Sequence, residues 1–387
     1  MPSISDTITR LVRHKAIDSF QDPSGATRLQ ELADFGSNSG NLLAKYYVPE
    51  NLLRSAPLVV VLHGCTQTAG GYDFGSGWSQ LADTNGFAVL FPEQQRSNNP
   101  NLCFNWFEPN DTRRGQGEAH SIRQMINRMI QKYDLDKDKI FITGLSAGGA
   151  MANVMLANYP EVFAGGAIIA GLPFGSARTL PEAFDRMRGH GGPSTQELGS
   201  LVRKASSHTG PWPIVSIWQG DADAIVVPSN ASAIGGQWRS VHMLGDKPTH
   251  QETIGGYTHR AWSDSTGTSA VEEYLIANMG HGIPLDAARD GYGNASAFML
   301  DVGISSTRRI AASWGIAPAV KNSSWNYSSP IEVGQAVANE SLKSSSRSRN
   351  ETNHRQANGN GSWGGSKSPV GIRKVIEDAL RTAGLMK

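Results

Sequence analysis

The stretch Lys139-Ile-Phe-Ile-Thr-Gly144-Leu-Ser146-Ala147-Gly148-Gly-Ala-Met151-Ala-Asn153 decides the fold. Ile140 to Thr143 is a short β-rich run, and small, helix-favouring residues follow Ser146. A G-x-S-x-G motif therefore falls between a predicted strand and a predicted helix, the setting of a nucleophile elbow. The turn is tight, and Gly144 and Gly148 remove side chains that would collide there. Ser146 is left projecting at the strand's carboxyl end. The helix beneath it begins with unbonded N–H groups that can face a developing oxyanion. In a chain with 43 glycines the bare motif arises by chance, so its flanks carry the inference.

The same rhythm extends in both directions. Leu58 to Leu62 and Phe87 to Phe91 are continuous apolar runs, as buried parallel strands are. Ala164 to Ala170 and Ile214 to Trp218 supply two more strands, and Ile122 to Met129 repeats apolar residues at helical spacing. Residues 26–48 read as a hairpin at a sheet edge. Strands alternating with helices predict an α/β fold, a mostly parallel sheet with helices on both faces. Residues 172–210 interrupt the alternation. Pro181 and the capping-box pattern Ser194-Thr-Gln-Glu197 predict small helices there, either walling the site or forming a surface excursion.

A serine hydroxyl needs a base, and the base needs an orienting acid. In this fold the chain order is serine, acid, histidine. Gln219-Gly220-Asp221-Ala-Asp223 follows the strand at Ile214 to Trp218. Spacing selects Asp223 as the acid and leaves Asp221 to cap the turn. Glu272 to Ala277 reads as a later strand, and His281 follows it between Gly280 and Gly282. His281 is the candidate base, while His242, His250 and His259 are expected to be exposed or structural. The oxyanion donors are the backbone N–H groups of Ala147 and of Cys65, the latter in Leu62-His63-Gly64-Cys65. A backbone donor survives a side-chain change, so Cys65→Ala is expected to be mild. His63 is expected to hold this loop.

At 387 residues the chain has room for one large α/β domain or two smaller ones. A formal net charge of +1 gives no global field for nucleic acid. No apolar run approaches the length of a transmembrane helix. Two cysteines, Cys65 and Cys103, exclude a disulfide scaffold or a zinc module, and whether they pair is left open. The N-terminus lacks a basic start followed by an apolar core, so a cytoplasmic chain is expected. The expected organisation is a helical segment over 1–25, a catalytic domain over 26–317, a Ser/Asn/Gly-rich linker over 318–368 and an amphipathic helix over 369–387. That helix is expected to dock on its own domain or a second copy, with a partner or an apolar polymer surface as alternatives.

The segment Leu62-His-Gly-Cys-Thr-Gln67, the block Cys103-Phe-Asn-Trp-Phe107, the run Arg114-Gly-Gln-Gly-Glu118, the elbow, Gly220-Asp-Ala-Asp223 and Met279-Gly-His281 together resemble the esterases of the poly(3-hydroxybutyrate) depolymerase family. The resemblance covers roughly residues 25–315. It implies an α/β-hydrolase fold and a Ser–Asp–His carboxylesterase that needs no metal or cofactor. It carries the triad onto Ser146, Asp223 and His281, with Cys65 and Ala147 as oxyanion donors. Exported members carry a signal peptide and often a substrate-binding domain, which this chain does not display. A branch with the same fold deacylates plant polysaccharides, so feruloyl or acetyl-xylan esters stand as the alternative substrate. A granule-binding protein with a vestigial site is the alternative from another class. Trp78, Trp106 and Trp218 are candidates to line an acyl groove, with core packing as the competing role. Arg113, Arg114 and Glu118 are expected to form a structural charge cluster.

Overall fold

The computed structural model describes residues 28–320. The expected segments over 1–25 and 369–387, and all but the first residues of the linker, lie outside that range. Among the described residues, ten strands form one sheet: β1 (Gln30–Glu31), β2 (Leu43–Tyr47), β3 (Leu58–Leu62), β4 (Ala88–Glu93), β5 (Ile140–Leu145), β6 (Gly165–Ile169), β7 (Ile214–Gly220), β8 (His250–Ile254), β9 (Tyr257–Ser263) and β10 (Ser269–Ile276). Their spatial order is β1-β2-β4-β3-β5-β6-β7-β10-β9-β8. The run from β4 to β10 is parallel, and antiparallel pairs close both edges. This is the α/β-hydrolase arrangement expected from the elbow.

The apolar runs explain the layers. Side chains alternate across a strand, so a strand covered on both faces must be apolar throughout. Leu58, Val60 and Leu62 enter one core together with Ile142 and Ile217. Val59 and Val61 enter the other with Phe141 and Ile169. Helices Gly117–Tyr133, Ala147–Asn158 and Ser229–Val241 contribute to the first core. Helices Ala69–Ser76, Trp78–Asn85 and Ser306–Ser313 contribute to the second. Every residue of Ala147–Asn158 is buried, which its small side chains permit.

The histidines at 250 and 259 sit on β8 and β9, an antiparallel hairpin that carries the sheet past β10. The expected charge cluster of Arg113, Arg114 and Glu118 is not formed. Arg114 pairs with Glu161 at 2.6 Å rather than with Glu118, which is wholly buried. Over 172–210 the chain forms helices Leu180–Met187 and Thr195–Ala205, and Ser194 and Glu197 make the reciprocal capping box. The Val227 N–H donates to Met187 O at 2.9 Å, tying the first helix to the loop after Asp223. No helix among the described residues is long and apolar enough to cross a membrane.

Candidate active site

Parallel strands bring their carboxyl ends to one edge of the sheet, and β5, β7 and β10 each deliver a residue there. Ser146 follows β5 with φ 57° and ψ −119°, the strained backbone of an elbow. Its N–H donates to Ile169 O at 2.9 Å, which fixes the turn against β6. A Cβ on Gly144 would lie 2.4 Å from Gly148 O, so the turn closes only without it. Ser146 is half-buried at the carboxyl end of β5.

Asp223 follows β7, is 3% exposed, and receives four donors. The Ile225 and Val226 N–H groups donate to Oδ1 at 2.9 and 3.0 Å. Gln219 Nε2 donates to Oδ2 at 3.0 Å, and His281 Nδ1 lies 2.8 Å from the same oxygen. His281 follows β10, in the loop after Asn278. That loop is placed by Asp221, whose Oδ1 accepts from the Asn278 N–H at 2.6 Å. The structure therefore brings Asp223 and His281 together and gives Asp221 the turn.

The loop at Leu62 to Cys65, which carries the candidate oxyanion donor, lies against the elbow helix. A Cβ on Gly148 would fall 2.4 Å from both Leu62 O and His63 O. His63 is buried in the neutral form: Nδ1 faces Gly64 O at 2.8 Å, and Nε2 accepts from the Gln94 N–H at 3.1 Å. Desolvation holds its pKa below the ordinary value. Gln94 Nε2 donates to Glu118 Oε1 at 2.5 Å, and the Asn105 N–H donates to Oε2 at 2.9 Å. Burial, with Asp111 adding to it, pushes the Glu118 carboxyl up to about 8. Glu118, Gln94 and His63 thus form a buried chain that ends at the loop carrying Gly64 and Cys65. The sequence shows Glu118 as one more charged residue, and only its burial reveals the role. Gln219 is inconspicuous in sequence, and its part shows only in its bond to Asp223.

Cys65 and Cys103 form a disulfide with Cα atoms 4.2 Å apart. The residue whose N–H is the oxyanion candidate is thereby fastened to the Cys103-to-Phe107 block. Cys65→Ala breaks that bridge, so the mild effect expected from the backbone argument does not hold.

The tryptophan expectations need correction. Trp78 is 2% exposed and stacks on Trp314 at 6.0 Å. Trp218 is 1% exposed and stacks on Tyr274 at 3.8 Å. Both are enclosed by the core and line no groove. Trp106 is also buried, at 7% exposure, with its ring edge-on to half-buried Phe107 at 5.5 Å.

Residues 42–252 match the family model described as Esterase PHB depolymerase. The chain belongs to this family of esterases. A poly(3-hydroxyalkanoate) depolymerase C from Paucimonas lemoignei is 43% identical over 296 residues, which is 76% of this chain and 71% of the relative. Acetylxylan esterase A from Aspergillus oryzae is 32% identical over 273 residues, 68% of this chain and 87% of the relative. The solved acetyl xylan esterase from Aspergillus awamori is 26% identical with a TM-score of 0.65, covering 75% of this chain and 99% of that one. This member of the PHB depolymerase esterases is thus a serine esterase, a carboxylic ester hydrolase with an α/β-hydrolase fold.

Proposed function

We propose that this esterase hydrolyses the ester bonds of poly(3-hydroxybutyrate)-type polyesters or their oligomers. The observation that carries the substrate is the 43% identity to a poly(3-hydroxyalkanoate) depolymerase, above the 32% to an acetylxylan esterase. The chemistry is proposed to run through Ser146, His281 and Asp223. His281 Nε2 takes the Ser146 proton as Oγ attacks the ester carbonyl. Asp223, on the opposite ring nitrogen, holds the imidazole and stabilises its charged form. The oxyanion rests on the N–H groups of Ala147 and Cys65. Neither N–H has a backbone acceptor among the described residues, which supports that role. The alcohol leaves with the proton from His281, and water then repeats the sequence on the acyl-enzyme.

The second reading, deacylation of xylan, is favoured by the fold match that spans 99% of an acetyl xylan esterase. Product analysis separates the two. Serine-dependent release of 3-hydroxybutyrate supports the polyester reading. Release of acetate or ferulate from xylan fragments, without 3-hydroxybutyrate, replaces it.

A further inference from the structure

We propose that the edge hairpin β8–β9 holds a first-row transition-metal ion of the zinc type, bound by His250, Glu252 and His259. The site lies apart from the proposed triad and is not used by it.

The sheet geometry assembles the three ligands. His250 and Glu252 are two apart on β8, so they project from one face. Glu252 pairs in register with His259 on β9, while His250 pairs with Ala261 and is diagonal to His259. One ligand atom from each residue falls within 4.8 Å of the other two. His259 Nδ1 lies 3.5 Å from Glu252 Oε1, and His250 Nε2 lies 3.9 Å from the same oxygen. Ligands about 2.0–2.2 Å from a tetrahedral zinc ion are about 3.4 Å from one another. The Glu252–His259 pair already has that spacing. The His250 side chain is 58% exposed and can swing inward by the remaining distance.

A second observation comes from the other side of the His259 ring. His259 Nε2 is buried and makes no hydrogen bond. It points at Glu272 Oε2, 3.7 Å away, and that oxygen accepts from Tyr274 Oη at 3.2 Å. The Tyr274 ring stacks on His259 at 4.3 Å and 15°, which fixes the plane of the imidazole. A metal at Nδ1 requires the proton at Nε2, and that N–H then meets Glu272. This is the carboxylate–histidine–metal arrangement that orients ligating histidines elsewhere.

Charge and donor type choose the ion. Glu252 and Glu272 bring two negative charges, and Arg309 over the Tyr257 ring brings one positive charge. With neutral imidazoles the neighbourhood is net negative. Two imidazoles and one carboxylate suit zinc, nickel or copper, whereas calcium and magnesium demand oxygen ligands. A bound ion would pin β8 to β9 at the open edge of the sheet.

The test uses the full untagged chain and zinc chloride in a calorimetric titration, with calcium and magnesium chloride as controls. One zinc ion per chain is expected, with no calcium or magnesium binding. His250→Ala and Glu252→Gln should each weaken zinc binding more than about tenfold, and Glu272→Gln by about 10- to 100-fold through the ring orientation. Zinc should raise the unfolding temperature of the native protein and not that of His250→Ala. No zinc binding, or equal affinity in His250→Ala and Glu252→Gln, overturns the proposal. His250 is exposed, so its variant keeps the fold and a negative result is decisive.

Discussion

His281 Nδ1 lies 2.8 Å from Asp223 Oδ2, across 58 residues of sequence. The pair is enclosed: Asp223 has no exposed side-chain surface and His281 has 6%. In the proposed mechanism the carboxylate fixes which ring nitrogen carries the proton and leaves Nε2 to act as base. Asp223→Asn would present an amide donor to Nδ1 and favour the wrong tautomer. It should lower kcat by about 10⁴ while leaving the circular dichroism spectrum native. Activity within a few-fold of the native protein would remove Asp223 from the triad.

The Cys65–Cys103 bridge closes a 38-residue separation. Constraining a loop of that length is worth about 4 kcal/mol through the unfolded chain. The Cys65→Ala, Cys103→Ala double variant should lose about that much in urea unfolding. Its kcat should also fall, because the oxyanion loop loses an anchor. An unchanged midpoint would show that the bridge contributes nothing.

Gly148 tolerates no side chain. A Cβ there would press on two backbone oxygens at 2.4 Å, and backbone cannot swing aside as a flexible side chain would. Gly148→Ala should cost about 3 kcal/mol of stability and push the oxyanion loop away from the elbow. Thermal unfolding together with ester turnover reads both effects.

Glu118 makes stability depend on pH. Burial raises its carboxyl to about 8 in the native protein, from an ordinary value of 4.5. Between those values the native state holds a proton that the unfolded chain has released. Its contribution therefore falls as pH rises from about 4.5 to about 8 and then levels off. Glu118→Gln removes that titration. Between pH 5 and pH 8 the native protein should lose about 5 °C more of its unfolding temperature than the variant does. Parallel curves would show that Glu118 is not the group responsible.

Much of this architecture is legible from local pattern. Leu58 to Leu62 reads as a two-faced buried strand because every position is apolar. Ser146 reads as an elbow because its strand and helix are continuous with it. What the sequence hides is long-range. The Gly255-Gly256 pair marks a turn, yet β8 and β9 lack clean apolar–polar alternation, and their place beyond β10 depends on pairing that no local signal encodes. Trp78 and Trp218 have the chemistry of groove residues, and only packing shows them enclosed. Glu118 looks like a surface acid until its two donors, Gln94 and Asn105, arrive from other segments.

The most direct test of the central claim is product analysis with amorphous poly(3-hydroxybutyrate) and its soluble oligomers, using the native protein and Ser146→Ala. The native protein should release 3-hydroxybutyrate or its short oligomers, and Ser146→Ala should fall by up to about 10⁶-fold with its fold intact. Equal release by the two proteins, or no release of 3-hydroxybutyrate by the native protein, would contradict the account.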